Sequence, residues 1–143
     1  PATPRLLTRQ LLRPLPRSRE LSSVECRTLA GDHIDDAAAQ ATKGLRNIRN
    51  HLEADPKVKI VVVTHGPGID FLLDGATNPK GASFSGDIGD LASRGVEFRV
   101  CNNTLTTRNI SKDKVVMEAK IVPSGVAEVA RLQAEEKFVY IHP

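Results

Sequence analysis

Residues 58–68 read VKIVVVTHGPG, and the fold class of the protein can be inferred from them. The run before His65 is mostly apolar and rich in β-branched side chains, which is typical of a strand buried on both faces of a parallel sheet. The residues Gly66-Pro67-Gly68 then turn the chain. Because such a strand must be covered by helices on both of its faces, the stretch predicts an α/β protein.

Strand and helix signals alternate on both sides of this strand. The helix before it is predicted from one apolar stripe at spacings of three and four, formed by Ile34, Ala38, Ala41, Leu45, Ile48 and Leu52. Other strands are predicted at 24–29, 96–101, 121–122 and 138–141, and other helices at 69–75, 84–93, 102–109, 112–119 and from 125 onwards. Alternation of this kind implies right-handed crossovers. We therefore expect a three-layer α/β/α sandwich with a mostly parallel five-stranded sheet.

The charge distribution separates a leader from the domain. Five arginines and one glutamate give residues 1–20 a charge of +4, so the formal net charge of +3 leaves −1 for the rest of the chain. A nearly neutral body argues against nucleic-acid binding, which needs a clustered basic patch. Residues 1–22 are predicted to be an Arg/Pro-rich leader or flexible arm, and 23–143 a single domain. The leader lacks the apolar centre of a secretory signal and fits an organelle transit peptide or an unstructured extension.

Composition also limits the compartment and the cofactors. No apolar run is long enough to span a bilayer, so we expect a soluble protein. Two cysteines do not make a disulfide scaffold in a chain this long, which favours a reducing compartment, the cytoplasm or an organelle matrix. The four histidines have no metal-ligand spacing with either cysteine, so we predict no metal, and we predict no cofactor.

The candidate site lies at the carboxyl ends of the strands, where open parallel sheets bind ligands. Turns at 65–68, 101–104 and 123–125 each lead from a strand into a helix. Each helix start offers free N–H groups and the positive end of a dipole. The residues of these turns and of the helix after Cys101 that we predict to bind substrate are His65, Gly66, Gly68, Asn102, Asn103, Thr104, Arg108 and Ser124.

Cys101 stands where a predicted strand ends and a predicted helix begins. A thiol at a helix N-terminus has a lowered pKa, and the thiolate is the nucleophile. Free cysteines are also among the most often buried residues, so the pattern leaves open a reactive thiol and an inert packing residue. His65 could act as a base near Cys101 or hydrogen-bond its own turn. Ser124 is interpreted as a helix cap and Cys26 as a core residue.

Two common sites are excluded by their missing residues. The HGPG turn lacks the Lys-Ser/Thr pair of a P-loop. The chain contains no Gly-x-Ser-x-Gly elbow of a serine hydrolase. The strand 96–101 raises a separate point, because it puts Glu97, Arg99 and Cys101 on one face. Charges are unfavourable under a covering helix. We therefore expect this strand to be an edge, or a surface where subunits meet and pair Glu97 with Arg99.

Four blocks of the sequence, VVVTHGPGIDFLLDGA, GVEFRVCNNTL, IVPSGVAEVARLQ and the closing FVYIHP, resemble small DsrE/DsrF-like proteins. The resemblance covers residues 23–143. It implies a parallel sheet between helices and a homo-oligomer, commonly a trimer or hexamer, or a subunit of a larger assembly. It also implies that Cys101 matches the cysteine that carries a persulfide in the better-understood members. Those members have small apolar residues and then Arg-Gly after the cysteine, whereas Asn102-Asn103-Thr104 and Arg108-Asn109 stand here.

The resemblance predicts a sulfur-relay or sulfurtransferase-type protein that carries sulfane sulfur as a persulfide on Cys101. Its partners would be a sulfur donor and a sulfur acceptor protein, and His65, Asn103 and Ser124 would line the pocket. Two other functions stay open. One is a non-catalytic oligomeric subunit, structural or binding, in which Cys101 only packs. The other is a regulator that binds small anions at the HGPG and PSG turns.

Overall fold

The computed structural model describes residues 22–27 and 34–142, with side chains from Ala37 to His142. The strands are β1 (Ser22–Arg27), β2 (Lys59–Thr64), β3 (Glu97–Cys101), β4 (Ala119–Val122) and β5 (Val139–Ile141). The helices are α1 (Ile34–Ala54), α2 (Ser85–Ser93), α3 (Asn102–Thr107) and α4 (Gly125–Glu136). Two 3₁₀ segments cover Gly66–Leu72 and Lys112–Lys114. Elements of the two types therefore alternate along the chain.

Among the described residues, the strand pairs β1–β2, β1–β5, β2–β3 and β3–β4 are all parallel. The strand order is β4-β3-β2-β1-β5, which puts β2 at the centre of the sheet. Residues Ile60 to Thr64 of this strand are all buried. The predicted α/β class and mostly parallel sheet are confirmed, and the apolar stretch that indicated them is the central strand.

Helices lie against both faces of the sheet. On one face, the apolar side of α1 packs with residues of α2 and α3 against Ile60 and Val62 of β2 and against Phe98 and Val100 of β3. On the other face, Leu132 of α4 packs with Phe138, Val61 and Val63. Successive side chains of a strand point to opposite faces, so a strand covered on both sides must be apolar throughout.

One predicted helix is wrong. The sequence 112–119 was expected to form a helix capped by Ser111, but only Lys112–Lys114 forms a short 3₁₀ turn and the Ser111 side chain makes no cap. The chain beyond it is extended because Val115 bridges Leu73 and the Val116 amide donates to the Leu72 carbonyl at 2.9 Å. These long-range backbone bonds replace the bonds of the expected helix, and β4 starts at Ala119 instead of Ile121.

The prediction of an edge strand at 96–101 is also wrong. β3 lies between β2 and β4, so both of its sides are paired. Its charged face is satisfied inside one chain, because Arg99 forms ion pairs with Glu97 and with Glu128 of α4. The predicted short helix at 69–75 forms instead as the 3₁₀ segment Gly66–Leu72.

Several predictions fall outside the described part of the chain. These are the leader up to residue 21, the end of the first strand at residues 28–29 and the Cys26 side chain. Within residues 22–27 and 34–142, no helix combines the length and the apolar composition needed to cross a membrane.

Candidate functional site

Cys101 ends β3 and immediately precedes α3. Its side chain is 4% exposed and points to the sheet face that α4 covers, the same face as Arg99. The backbone of Cys101 is still extended, with φ −70° and ψ 117°, so the chain passes from strand to helix at this residue. The sulfur therefore lies close to the starts of two helices, α3 and α4.

Four hydrogen-bond donors near the Cys101 sulfur lower the pKa of its thiol. Three are the backbone amides of Gly125, Thr104 and Asn103, and the fourth is the Thr104 hydroxyl. That hydroxyl also accepts a hydrogen bond from the Gly66 amide at 2.9 Å, which leaves its own proton for the sulfur. Burial raises the pKa of the Cys101 thiol, but the four donors together outweigh burial, and the pKa lies below the ordinary cysteine value.

Gly125 allows α4 to approach the cysteine. A β-carbon at residue 125 would lie 3.2 Å from the His65 β-carbon, 3.4 Å from the Cys101 β-carbon and 3.4 Å from the Thr64 carbonyl oxygen. A side chain there would push the first turn of α4 away from the sheet. Ser124 caps this helix, as predicted, by accepting a hydrogen bond from the Ala127 amide at 3.4 Å.

The turn after β2 is tied to α3 from two sides. Gly66 has a φ of +56°, a left-handed conformation that a glycine adopts without steric strain. Its amide binds Thr104, and its carbonyl accepts a hydrogen bond from Arg108 Nη1 at 3.3 Å. The same Arg108 nitrogen lies 2.6 Å from Asp70 Oδ1 in the 3₁₀ segment. The turn and α3 therefore form one hydrogen-bonded unit next to the thiol.

An open cavity of about 340 Å³ lies at the Cys101 thiol. Its described lining comes from four elements, the 3₁₀ segment with its N-cap, β3, α3 and α4, and is formed by His65, Gly66, Cys101, Asn103, Thr104, Thr107, Arg108, Ser124 and Val126. The structure thus brings together most of the residues named from the sequence, although these lie up to 59 positions apart along the chain, from 65 to 124. The carboxyl-edge rule for parallel sheets accounts for this convergence.

Two of the named residues are not part of this lining. Gly68 is buried in the 3₁₀ segment, where its amide donates to the His65 carbonyl at 3.1 Å. Asn102 begins α3 and is half-buried. Two lining residues were missed, Thr107 and Val126. Thr107 lies three residues after Thr104 and so shares its helix face, which is a signal that the sequence does contain. Val126 had no such signal.

A charged cluster lies under α4 on the same sheet face as the thiol. Arg99 binds Glu97 at 2.8 Å and also binds Glu128, which in turn accepts hydrogen bonds from Arg131 at 2.9 and 3.1 Å. The Arg131 guanidinium is the main reason that the pKa of Glu128 is lowered; burial opposes it, and Arg99 adds to the lowering. Glu128 is therefore a carboxylate near neutral pH, held from two sides.

The cavity at Cys101 differs from two other cavities in the side chains that line it rather than in its volume. Cavities of about 380 Å³ beside Phe71 and about 390 Å³ beside Lys43 are slightly larger, but neither is lined by a described cysteine or histidine. Among the side chains from Ala37 to His142, no three His, Cys, Asp or Glu residues lie close enough together to hold a metal ion. Among the described residues that line these three cavities, Cys101 is the one cysteine.

Comparisons with known proteins agree with this architecture. The sequence matches the DsrE/DsrF-like family over residues 30–141. The solved structure of MTH1491 from Methanobacterium thermoautotrophicum, a protein of unknown function, has a TM-score of 0.70 at 26% identity and covers 86% of this chain and 99% of its own. The YchN protein of E. coli has a TM-score of 0.64 at 14% identity, with 87% and 98% covered, which is a likeness of fold alone. No curated protein sequence matches the chain.

Proposed function

We propose, because the chain belongs to the DsrE/DsrF-like family, that it is a sulfur-relay or sulfurtransferase-type protein in which Cys101 carries sulfane sulfur as a persulfide. The family is associated with sulfur relay. The observation that carries the proposal is the set of four hydrogen-bond donors around the Cys101 sulfur, which favour the thiolate despite its burial.

The loading step is a nucleophilic displacement at sulfur. The Cys101 thiolate attacks the outer sulfur of a donor persulfide R–S–SH, a new S–S bond forms on Cys101, and the donor's S–S bond breaks. The bonding electron pair leaves with the donor as the thiolate R–S⁻, and the proton stays on the transferred sulfur until it ionises. With thiosulfate as donor, the leaving group is sulfite. Atoms and charge balance in both cases, and no external oxidant is needed.

The cavity suits the product of this step. A persulfide adds one sulfur atom beyond Sγ, and a cavity of about 340 Å³ exceeds the space that a few water molecules occupy, roughly 30 Å³ each. Arg108 lines the cavity and brings a positive charge to an anionic sulfur or an anionic donor. In this proposal His65, Asn103, Thr104 and Ser124 line the space around the outer sulfur.

Release of the sulfur uses the same groups. An acceptor thiolate attacks the outer sulfur, and Cys101 leaves as a thiolate, which is a faster leaving group when its pKa is low.

The partners would therefore be a donor and an acceptor protein, and the domain would work within a homo-oligomer, a trimer or hexamer, or a larger assembly. A thiol that must stay reduced suits the cytoplasm or an organelle matrix. The residues before β1, which starts at Ser22, would be a leader or arm outside the domain.

The experiment is intact mass of the reduced protein after exposure to a polysulfide or to thiosulfate. We expect one added sulfur atom on the wild type and on Cys26→Ser, and none on Cys101→Ser. The Cys26→Ser variant is the matched control, because it removes the other thiol of the chain. Absence of sulfur on every form, together with slow alkylation of Cys101 at neutral pH, would favour the non-catalytic oligomeric subunit.

A second function has one observation in its favour. Arg108 and the start of α4 meet at the same cavity, an arrangement that attracts a small anion without any chemistry at the thiol. An anion-binding regulator would show a melting temperature that rises with phosphate or sulfate in Cys101→Ser, and His65→Ala would reduce this rise. Melting curves that do not respond to either anion count against it.

A further inference from the structure

We propose that the ion pair between Arg99 and Glu128 is a positioning device that holds the first turn of α4, and with it the Gly125 amide, against the Cys101 sulfur. The inference rests on the proposed function, because it concerns the thiol that would carry the sulfur. It assigns Arg99 and Glu128 as positioning residues, since they act on the sulfur through Gly125.

Two connections join β3 to the start of α4. The first is the ion pair of Arg99 with Glu128, and the second is the close approach of Gly125 to Cys101, where a β-carbon on residue 125 would lie 3.4 Å from that of the cysteine and the amide lowers the pKa of the thiol. Arg99 and Cys101 are two residues apart on β3, so they share a face and lie about 6.6 Å apart. Gly125 and Glu128 are three residues apart on α4, so they share a face and lie about 4.5 Å apart along the helix axis. The flexible Arg99 side chain spans the difference between these two spacings, so both connections between β3 and α4 can form at the same time.

Apolar packing does not fix this end of the helix. The deeply buried apolar residue of α4 is Leu132, two turns beyond Gly125, where it packs with Phe138 and Val129. In the first turn, Val126 is 67% exposed. The start of α4 is held instead by polar contacts, which are the ion pair to Arg99, the Ser124 cap and a hydrogen bond of 3.3 Å from the Asn103 amide to the Pro123 carbonyl.

The burial of the ion pair sets it apart from surface ion pairs. The side chains of Arg99 and Glu128 are 14% and 12% exposed, and each has a further charged partner, Glu97 and Arg131. The Arg99 backbone is fixed as well, because its carbonyl accepts a hydrogen bond from the Thr64 hydroxyl at 3.0 Å. Buried ion pairs contribute little net stability compared with apolar packing, but their geometry is specific. The ion pair of Arg99 with Glu128 therefore acts mainly on the orientation of α4.

The test uses Arg99→Met and Glu128→Gln, each in a Cys26→Ser background so that Cys101 is the one thiol. The rate of alkylation by iodoacetamide is measured against pH, which gives the pKa of the thiol. Both variants release the start of α4, so both should raise this pKa by about one unit, the effect of losing one charge-assisted hydrogen bond. At a pH below the thiol pKa, a rise of one unit makes alkylation about tenfold slower.

The two variants separate positioning from a direct effect of charge. If Arg99 and Glu128 act on the thiolate only through space, removing the cation raises the pKa and removing the anion lowers it. A lowered or unchanged pKa in Glu128→Gln therefore overturns the proposal. This variant keeps the size and shape of the side chain, so it decides the matter even if Arg99→Met does not fold. His65 and Arg108, which line the cavity, are unchanged in every variant.

The control is Arg49→Met, which breaks an ion pair with Asp87 between α1 and α2, away from the thiol. It should leave the alkylation profile of Cys101 unchanged. Arg99→Lys, which keeps a cation, should restore part of the wild-type profile. The outcome is independent of sulfur loading. If the pKa rises as expected but wild type takes up no sulfur, the proposed function fails and the positioning role stands.

Discussion

Gly125 and Cys101 lie so close that a β-carbon on residue 125 would be 3.4 Å from the β-carbon of the cysteine. The amide of Gly125 uses this closeness to donate a hydrogen bond to the sulfur. The absence of a side chain at residue 125 thus lets this amide lie close to Cys101, where it is one of the groups that lower the pKa of the thiol.

Gly125→Ala should raise the pKa of Cys101. The added methyl group would also meet the His65 β-carbon at 3.2 Å, so the first turn of α4 must move by a few tenths of an ångström and its amide bond to the sulfur weakens. Overpacking costs roughly 1–3 kcal/mol. The measurement is the pH dependence of alkylation, together with a thermal melt. A profile identical to wild type would show that the close approach does not matter for the thiol.

Gly89→Ala is the matched control for this variant. Gly89 lies in α2, and a β-carbon there would meet nothing within 4 Å. Because alanine is about 1 kcal/mol more favourable than glycine in a helix interior, this variant should be more stable than wild type. Its alkylation profile should not change.

Thr104→Val should raise the pKa of Cys101 and lower the free energy of unfolding. It removes the hydroxyl that donates to the sulfur and leaves the Gly66 amide without its acceptor, while the side chain keeps its shape. Loss of the hydrogen bond costs about 1 kcal/mol. Thr106→Val, two residues further along α3 and exposed, should change neither quantity. Equal alkylation profiles for the two variants would contradict the role of the Thr104 hydroxyl.

The stability of the protein should depend on the ionisation of Cys101. The pKa of this thiol is lower in the folded state than in the unfolded chain, because the hydrogen bonds to the sulfur favour the thiolate. The contribution to stability is therefore absent below the folded pKa, grows as pH rises, and is complete above the unfolded pKa of about 8.5. Urea unfolding of wild type and Cys101→Ser across this range measures it. The difference between the two proteins should increase with pH; a constant difference would mean that the thiol pKa is the same in both states.

Arg108 should make the thiol favour anionic reagents. Its guanidinium lines the cavity and is held by Asp70 at 2.6 Å. Arg108→Gln should lower the rate with iodoacetate relative to neutral iodoacetamide, and Asp70→Asn should raise this ratio, by about two- to fivefold in each case, as expected for a solvent-exposed charge. Lys43→Gln, next to a different cavity, is the control. A ratio that moves in the same direction for both Arg108 and Asp70 variants would contradict this role.

The central strand and the position of the thiol could be predicted from the sequence because both depend on local patterns. The apolar stretch before His65 fixed a buried strand, and the rule that ligands bind at the carboxyl edge brought Thr104 and Arg108 to the same place as Cys101. The expected helix after Ser111 was wrong for the opposite reason. Its backbone bonds to Leu72 and Leu73 span more than 40 positions, and no local pattern contains them.

The detailed contacts of the site could not be predicted from the sequence for the same physical reason. The closeness of Gly125 to Cys101 and the ion pair of Arg99 with Glu128 each join residues from different elements. In the sequence, Gly125 is one of ten glycines and Arg99 is a charge on a strand. The charged residues of β3 led to the prediction of an edge strand, because the partner of Arg99 on α4, Glu128, is 29 positions away in the sequence.

The burial of Cys101 also has a consequence for oxidation. A disulfide requires two sulfurs at about 2.05 Å with their β-carbons about 3.8 Å apart. A cysteine that is 4% exposed and enclosed by the starts of two helices cannot bring its β-carbon that close to the same residue of another copy. The cavity of about 340 Å³ has room for a small reagent beside Cys101, whereas we expect burial to block covalent cross-linking of two copies through this thiol. We therefore expect no dimer linked through Cys101 to form in air.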